Sequence, residues 1–90
     1  MVTLDEVKLH LRIEHDEEDQ ALAAMLEAST DAAADYLGGE MPDPMPAPVR
    51  AAILLQVGDL YLNRERQGDV AYYQNRTYER LLNPYRSMGL

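Results

Sequence analysis

The chain contains no cysteine, phenylalanine or tryptophan among its 90 residues. Without cysteine, neither disulfides nor thiolate metal sites can reinforce the fold, and the composition is compatible with a reducing compartment. All six aromatic residues are tyrosines, which bury a ring but keep a hydroxyl that needs a partner. Because such residues are favoured where protein surfaces meet, the tyrosine-only usage indicates contact surfaces.

Long apolar runs are also missing. The most apolar stretch, Val49 to Leu62, is too short and too interrupted to span a bilayer. Asp5 and Glu6 stand where a signal peptide would carry positive charge. We therefore expect a soluble protein with no membrane partner. A chain of this length predicts one domain, residues 1–90, that hides only about 60 to 65% of the surface its unfolded form would expose.

The sequence lacks the motifs that carry catalysis or bind cofactors. His10 and His15 are five residues apart and would not share a helix face. The acidic run Asp16 to Asp19 lacks the spacing of a calcium loop, and helix capping explains it better. No nucleophile motif, phosphate loop or zinc spacing accompanies the acids. We predict no enzymatic activity, no cofactor and no metal site.

Positive charge is scarce and unevenly placed. The chain has 16 acidic residues against 8 Lys and Arg, a net charge of -8, which is opposite to the basic footprint of a DNA-reading protein. Residues 1–45 hold 12 of the acids, whereas the second half holds six arginines and four acids. An acidic face on one copy can meet an Arg-bearing face on the next, and such contacts produce a ring when they close. Ordinary solvated surface charge is the alternative.

Helical spacing of apolar residues predicts an all-α fold of about four helices. Thr3 and Glu6 form a capping-box pattern that begins the first helix, which ends near residues 12–15. Asp16 is expected to cap a long second helix, and Gly38 to end it in the left-handed conformation.

A Pro-rich connector, Gly38 to Pro48, separates the second helix from the third. The third helix, about Pro48 to Arg64, is apolar almost all round and is therefore expected to be central. Gly58 inside it suggests close approach of another backbone, with a tolerated defect as the alternative. Glu65 to Gln74 is predicted to be an exposed loop with weak strand character at residues 70–73, and the last helix to run from about Asn75 to Leu82.

Five segments, taken in order, resemble one protein family. They are Leu4 to Arg12, the acidic restart at Asp16, Tyr36-Leu37-Gly38, Asp59-Leu60-Tyr61, and the close from Leu81 to Arg86. Together they resemble the small head-tail connector proteins of tailed bacteriophages, also described as DNA-packaging adaptors. The resemblance implies an all-helical adaptor that assembles into a ring beneath the portal. It also implies a place at the head-tail junction of the virion, and in the host cytoplasm during assembly.

The implied partners are further copies of the chain, the phage portal protein and a tail-side head-completion protein. DNA would pass through the ring without sequence-specific binding, and an acidic chain suits such a conduit because carboxylates repel phosphates. The rival hypothesis is a small acidic regulator or DNA-mimic inhibitor that binds one basic protein as a monomer or dimer. Ring formation would separate the two.

Cationic and aromatic residues of the second half are predicted to form the subunit or portal interface. We assign Arg50, Arg64, Arg80, Tyr85 and Arg86 to it. The tail after Pro84 is expected to have little to pack against within the chain, and to be either a docking element or a frayed terminus. The clustered tyrosines are expected either to pack internally or to present a contact surface; they are Tyr72, Tyr73, Tyr78 and Tyr85.

Overall fold

Four α-helices build the part of the chain that the structure, a computed structural model, describes: residues 1–63 and 76–86. They are α1 (Leu4–Leu11), α2 (Asp19–Tyr36), α3 (Ala47–Asn63) and α4 (Arg76–Leu82), followed by a 3₁₀ turn over Asn83–Tyr85. These two ranges contain no strand, so the all-α prediction is confirmed. The predicted loop at 65–74, with its weak strand character, lies outside the described residues.

The capping box predicted for α1 is present. The Glu6 backbone N–H donates to Thr3 Oγ1 at 3.2 Å, and the Thr3 backbone N–H donates to Glu6 Oε1 at 3.1 Å. Each bond satisfies a donor that the first helical turn leaves free. Arg12 ends the helix with φ at 60°, in the left-handed region.

The predicted start of α2 at an Asp16 cap is wrong. The helix begins at Asp19, and its N-cap residue, Glu18, makes no side-chain capping bond. The Asp16 carboxylate instead accepts a hydrogen bond from the Lys8 ammonium at 2.6 Å. A bond between two charged groups is stronger than one to a neutral backbone N–H, so the nearby lysine draws Asp16 away from the helix end.

The end of α2 agrees with the sequence. Gly38 adopts a φ of 110°, which a side chain would strain. Its N–H donates to the Asp35 carbonyl at 3.2 Å, and the Gly39 N–H donates to the Ala34 carbonyl at 2.7 Å. This pair of bonds is a Schellman motif, which satisfies carbonyls that the last turn leaves free.

Helix α3 is central, as predicted, and packs against α1, α2 and α4. Its inward face is fully buried, whereas Leu60 is half-buried and Leu62 is 74% exposed. The buried cluster draws on all four helices, on Val2 two residues before α1 and on Leu37 directly after α2. Its members are Val2, Val7, Leu22, Ala33, Leu37, Val49, Ala52, Ile53, Val57 and Leu82. Helix α4 contributes Leu82 to the cluster and packs Tyr78 and Leu81 against it.

The close backbone approach predicted at Gly58 is wrong. A Cβ atom built on Gly58 would meet Leu11 Cδ2 at 3.6 Å, which is ordinary van der Waals contact. Packing therefore does not require a glycine in α3, and the residue is a tolerated defect in helix propensity. Among the described helices, none combines the length and the apolar character needed to cross a membrane.

Candidate assembly surfaces

Arg50, one of the predicted interface residues, is already paired within the chain. Its Nη1 atom donates to both carboxylate oxygens of Glu6, at 2.8 and 2.6 Å, and to the Met1 carbonyl at 3.4 Å. The Thr3 backbone N–H and then Arg50 lower the pKa of Glu6. Arg50 thus ties the start of the chain to α3. A role for it in a subunit interface stays a prediction.

Lys8 makes a second ion-pair cluster, between α1 and the start of α2. Its ammonium lies 2.6 Å from Asp16 Oδ1 and 2.8 Å from Asp19 Oδ1. These carboxylates, Asp16 first, raise the pKa of Lys8, and the lysine lowers the pKa of Asp16. Part of the acidic run is therefore neutralised locally.

The outward face of α4 carries two exposed arginines. Arg76 and Arg80 are four residues apart, so they are neighbours on one helix face, and both are exposed. Neither makes an ion pair with any residue that the structure describes. Arg80 is one of the predicted interface residues, whereas Arg76 is not, although its four-residue spacing from Arg80 could have revealed it. We call Arg76 and Arg80 the arginine pair.

The outward face of α2 carries a row of exposed acids. Glu27, Asp31 and Asp35 recur every four residues and are all exposed, whereas Ser29 and Ala33 on the other face are buried. Within the described ranges no cation pairs with the three acids, and α2 itself contains no Lys or Arg. We call Glu27, Asp31 and Asp35 the carboxylate row. The sequence shows that the first half of the chain is acidic, but we did not predict that these three acids share one helix face.

Tyr36, at the end of α2, contacts the C-terminal segment, residues 83–86. Its hydroxyl donates to Asn83 Oδ1 at 2.5 Å, and the Arg86 guanidinium lies 4.7 Å from the centre of its ring. The Tyr78 ring packs against the Tyr36 ring, with 6.3 Å between the ring centres and a 59° tilt between the planes. Burial, and then Tyr36, raise the pKa of Tyr78. The expectation that the tail has little to pack against is wrong for Arg86, which stacks on Tyr36 through a cation-π contact.

An open cleft of about 620 Å³ lies beside this segment, between the connector and the 3₁₀ turn. Leu37, Met41 and Tyr85 give it an apolar side, and Glu40 and Asp43 give it negative charge. Tyr85 is 38% exposed. Such a lining suits an apolar side chain that stands next to a cationic one. Among the described residues, no group of three or more His, Asp or Glu is placed to hold a metal ion.

Three of the predicted contact residues cannot be placed. Arg64, Tyr72 and Tyr73 lie outside the described residues. Of the other predicted interface residues, Arg80 is on the outward face of α4, while Tyr85 and Arg86 lie together at the end of α2. Arg50 lies at the start of α3. The four predicted interface residues that the structure describes therefore occupy three separate places on the molecule.

The described residues form a four-helix fold that carries an acidic and a cationic surface on different helices. The sequence profile of the family described as phage gp6-like head-tail connector protein matches residues 1–86. The chain belongs to this family. Its fold is similar to the crystal structure of gp6 from bacteriophage HK97, with a TM-score of 0.79 and 25% sequence identity. The similarity covers 96% of this chain and 93% of gp6. No curated protein matches the chain.

Proposed function

We propose that the protein is a structural connector that forms a ring beneath the portal, through which DNA passes during packaging and to which the tail attaches. The observation that carries this proposal is the family match over residues 1–86, together with the likeness of the whole fold to HK97 gp6. Residues 1–90 act as one connector domain without enzymatic activity. The protein acts at the head-tail junction, after assembly in the host cytoplasm.

The charge distribution supports assembly into a ring. The carboxylate row and the arginine pair lie on different helices of one subunit and point away from its core. Two different surfaces that complement each other produce head-to-tail contacts, and such contacts close into a ring when the rotation between subunits allows it. The net charge of -8 keeps passing DNA from adhering, because the ring repels phosphates on average.

The C-terminal segment and the cleft beside it are the proposed portal contact. Tyr85 and Arg86 offer an aromatic and a cationic group at one place, and residues of these types dominate many interfaces. Arg50 and Arg64 remain proposed contributors to subunit or portal contacts. We expect the opposite end of the ring to contact the tail-side head-completion protein.

Native mass spectrometry and negative-stain microscopy of the full chain, alone and with its cognate portal protein, test the proposal. We expect closed rings of uniform subunit number, and rings that do not retain duplex DNA at low salt. A chain that stays monomeric at high concentration and forms no ring on the portal would contradict the connector function. A stable monomer or dimer that captures a basic protein would instead favour the acidic regulator.

A further inference from the structure

The carboxylate row is unfavourable for an isolated subunit. Like charges four residues apart on a helix repel each other, and Glu27, Asp31 and Asp35 make two such pairs in succession. Asp35 also lies in the last turn of α2, where the helix dipole disfavours negative charge and where no basic residue stands. The row therefore calls for a cation that the described part of the subunit does not supply.

The arginine pair has the matching geometry. Lys8 and Arg50 each lie within 2.8 Å of a carboxylate, whereas Arg76 and Arg80 pair with none in the described ranges. Their four-residue spacing places them about 6 Å apart along the helix axis, the same distance as between successive members of the carboxylate row. Two arginines can therefore face two carboxylates in register.

The two surfaces cannot meet within one subunit. Ser29 and Ala33 bury the face of α2 opposite the carboxylate row, and Leu82 anchors the inward face of α4. Since α3 packs against both α2 and α4, the carboxylate row and the arginine pair both point away from the core. Among the described residues, therefore, no cation of the same subunit reaches the row, and the arginine pair of another copy can supply one.

We propose that α4 of one copy docks on the outward face of α2 of the next copy, so that Arg76 and Arg80 pair with the carboxylate row. Ala24 and Ala28 are exposed beside the row, and their small side chains leave room for a helix to approach. The contact is heterologous, because it joins two different surfaces, and it can therefore repeat around a ring. This inference rests on the proposed ring function and names the surfaces that build the ring.

Asp31→Lys separates an interface role from a structural one. In the subunit, a lysine at this position would be attracted to both Glu27 and Asp35, so the thermal midpoint of the monomer should hold or rise. At the interface it would repel the arginine pair, and self-association at low salt should weaken about tenfold. Glu14→Lys is the matched control, because it makes the same change of charge at an exposed acid away from the row. It should assemble like the parent.

Sedimentation velocity over a concentration series measures the association, and complementary variants sharpen the result. The charge-reversed variants Glu27→Lys/Asp31→Lys and Arg76→Glu/Arg80→Glu should each fail to self-associate. When the two are mixed, the reversed surfaces attract again, and we expect assemblies in which the variants alternate. A chain that carries all four changes should assemble with itself but not with the parent.

Each contrary outcome has a distinct meaning. If the parent assembles and Asp31→Lys assembles with the same constant, the pairing is wrong while the ring stands. If the Asp31→Lys ring also retains duplex DNA that the parent ring releases, the carboxylate row lines the channel, which overturns the pairing and supports the conduit. A parent that forms no ring, either alone or on the portal, contradicts the proposed function itself and the pairing with it.

Discussion

Ser29 places a hydroxyl in the core of the fold. The residue is 1% exposed, and its Oγ has no hydrogen-bond partner in the described part of the chain. An unpaired buried hydroxyl costs about 1 to 3 kcal/mol. We therefore expect Ser29→Ala to raise the free energy of unfolding by about 1 to 2 kcal/mol, as measured by urea denaturation.

The neighbouring Thr30 provides the control for this prediction. Its hydroxyl donates to the Leu26 carbonyl at 2.8 Å, so Thr30→Ala removes a hydroxyl that is already paired. We expect a smaller gain from Thr30→Ala than from Ser29→Ala, since the two changes differ little in helix propensity. A loss of stability in Ser29→Ala would show that its hydroxyl is bonded in solution.

Glu6 links the stability of the subunit to acidity. Its pKa is lowered from the ordinary value of 4.5 by the Thr3 backbone N–H and by Arg50, so folding favours the ionised form. The stabilisation is present above pH 4.5 and is lost as the pH falls through the lowered pKa. Asp16, whose pKa is lowered from 3.8 mainly by Lys8, adds to the same acid loss at lower pH.

Glu6→Gln should therefore melt at a lower temperature near neutral pH and lose less stability on acidification than the parent. Thermal melts by circular dichroism across the acidic range measure both effects. Glu14→Gln changes an exposed acid that has no ion pair within the described residues, and it should keep the parental profile. An acid profile of Glu6→Gln that is as steep as that of the parent would show that other carboxylates carry the pH dependence.

At the scale of the helix, α3 can be improved at Gly58. A Cβ atom there would make only ordinary contact with Leu11, while alanine is about 1 kcal/mol better than glycine inside a helix. Gly58→Ala should therefore raise the free energy of unfolding by about 1 kcal/mol. The reverse change at the exposed Ala51 of the same helix should lower it by a similar amount. Lower stability in Gly58→Ala would mean that Leu11 cannot yield to the added methyl group.

The boundaries of the helices show which signals a sequence makes readable. The Thr3 and Glu6 box and the Gly38 terminus were predicted because each acts on backbone groups only a few residues away. The start of α2 was not predicted correctly, because the Asp16 carboxylate bonds to Lys8, eight residues earlier, and not to the backbone of its own helix end. Local chemistry fixes a helix end only when no stronger partner is folded onto it.

Across the whole molecule, the buried faces of the helices could be predicted from the sequence, whereas the contacts and charge pairing at the surface could not. Hydrophobic spacing identified α3 as central, since an apolar helix must be covered by others. The contact between Tyr36 and Asn83 spans 47 positions along the chain, and no spacing rule connects them. Similarly, the composition indicates an acidic half of the chain. Which of these acids are paired locally, as Asp16 is, and which have no partner among the described residues, as in the carboxylate row, becomes clear only from the positions of the helices.

Truncation after Pro84 tests the C-terminal segment at this scale. The shortened chain keeps the buried Leu82 and the bond between Tyr36 and Asn83, so its helical circular dichroism should stay close to that of the parent. It loses Tyr85 and Arg86, and portal binding should fall about tenfold or more. Arg86→Ala isolates the cationic contribution, since it retains Tyr85. Parental portal affinity in the truncated chain would show that this segment is not the docking element.

The contacts of Tyr36 also attach the C-terminal segment to a second helix. In the proposed ring, an attached phage tail would pull on the contacts between the ring and the portal. A C-terminal segment that contacted only α4 could be detached starting from one end. Tyr36 instead joins Asn83 and Arg86 to the end of the 18-residue α2, while Tyr78 packs beside it. In the proposed ring, tension on the C-terminal segment would therefore be distributed over both α2 and α4.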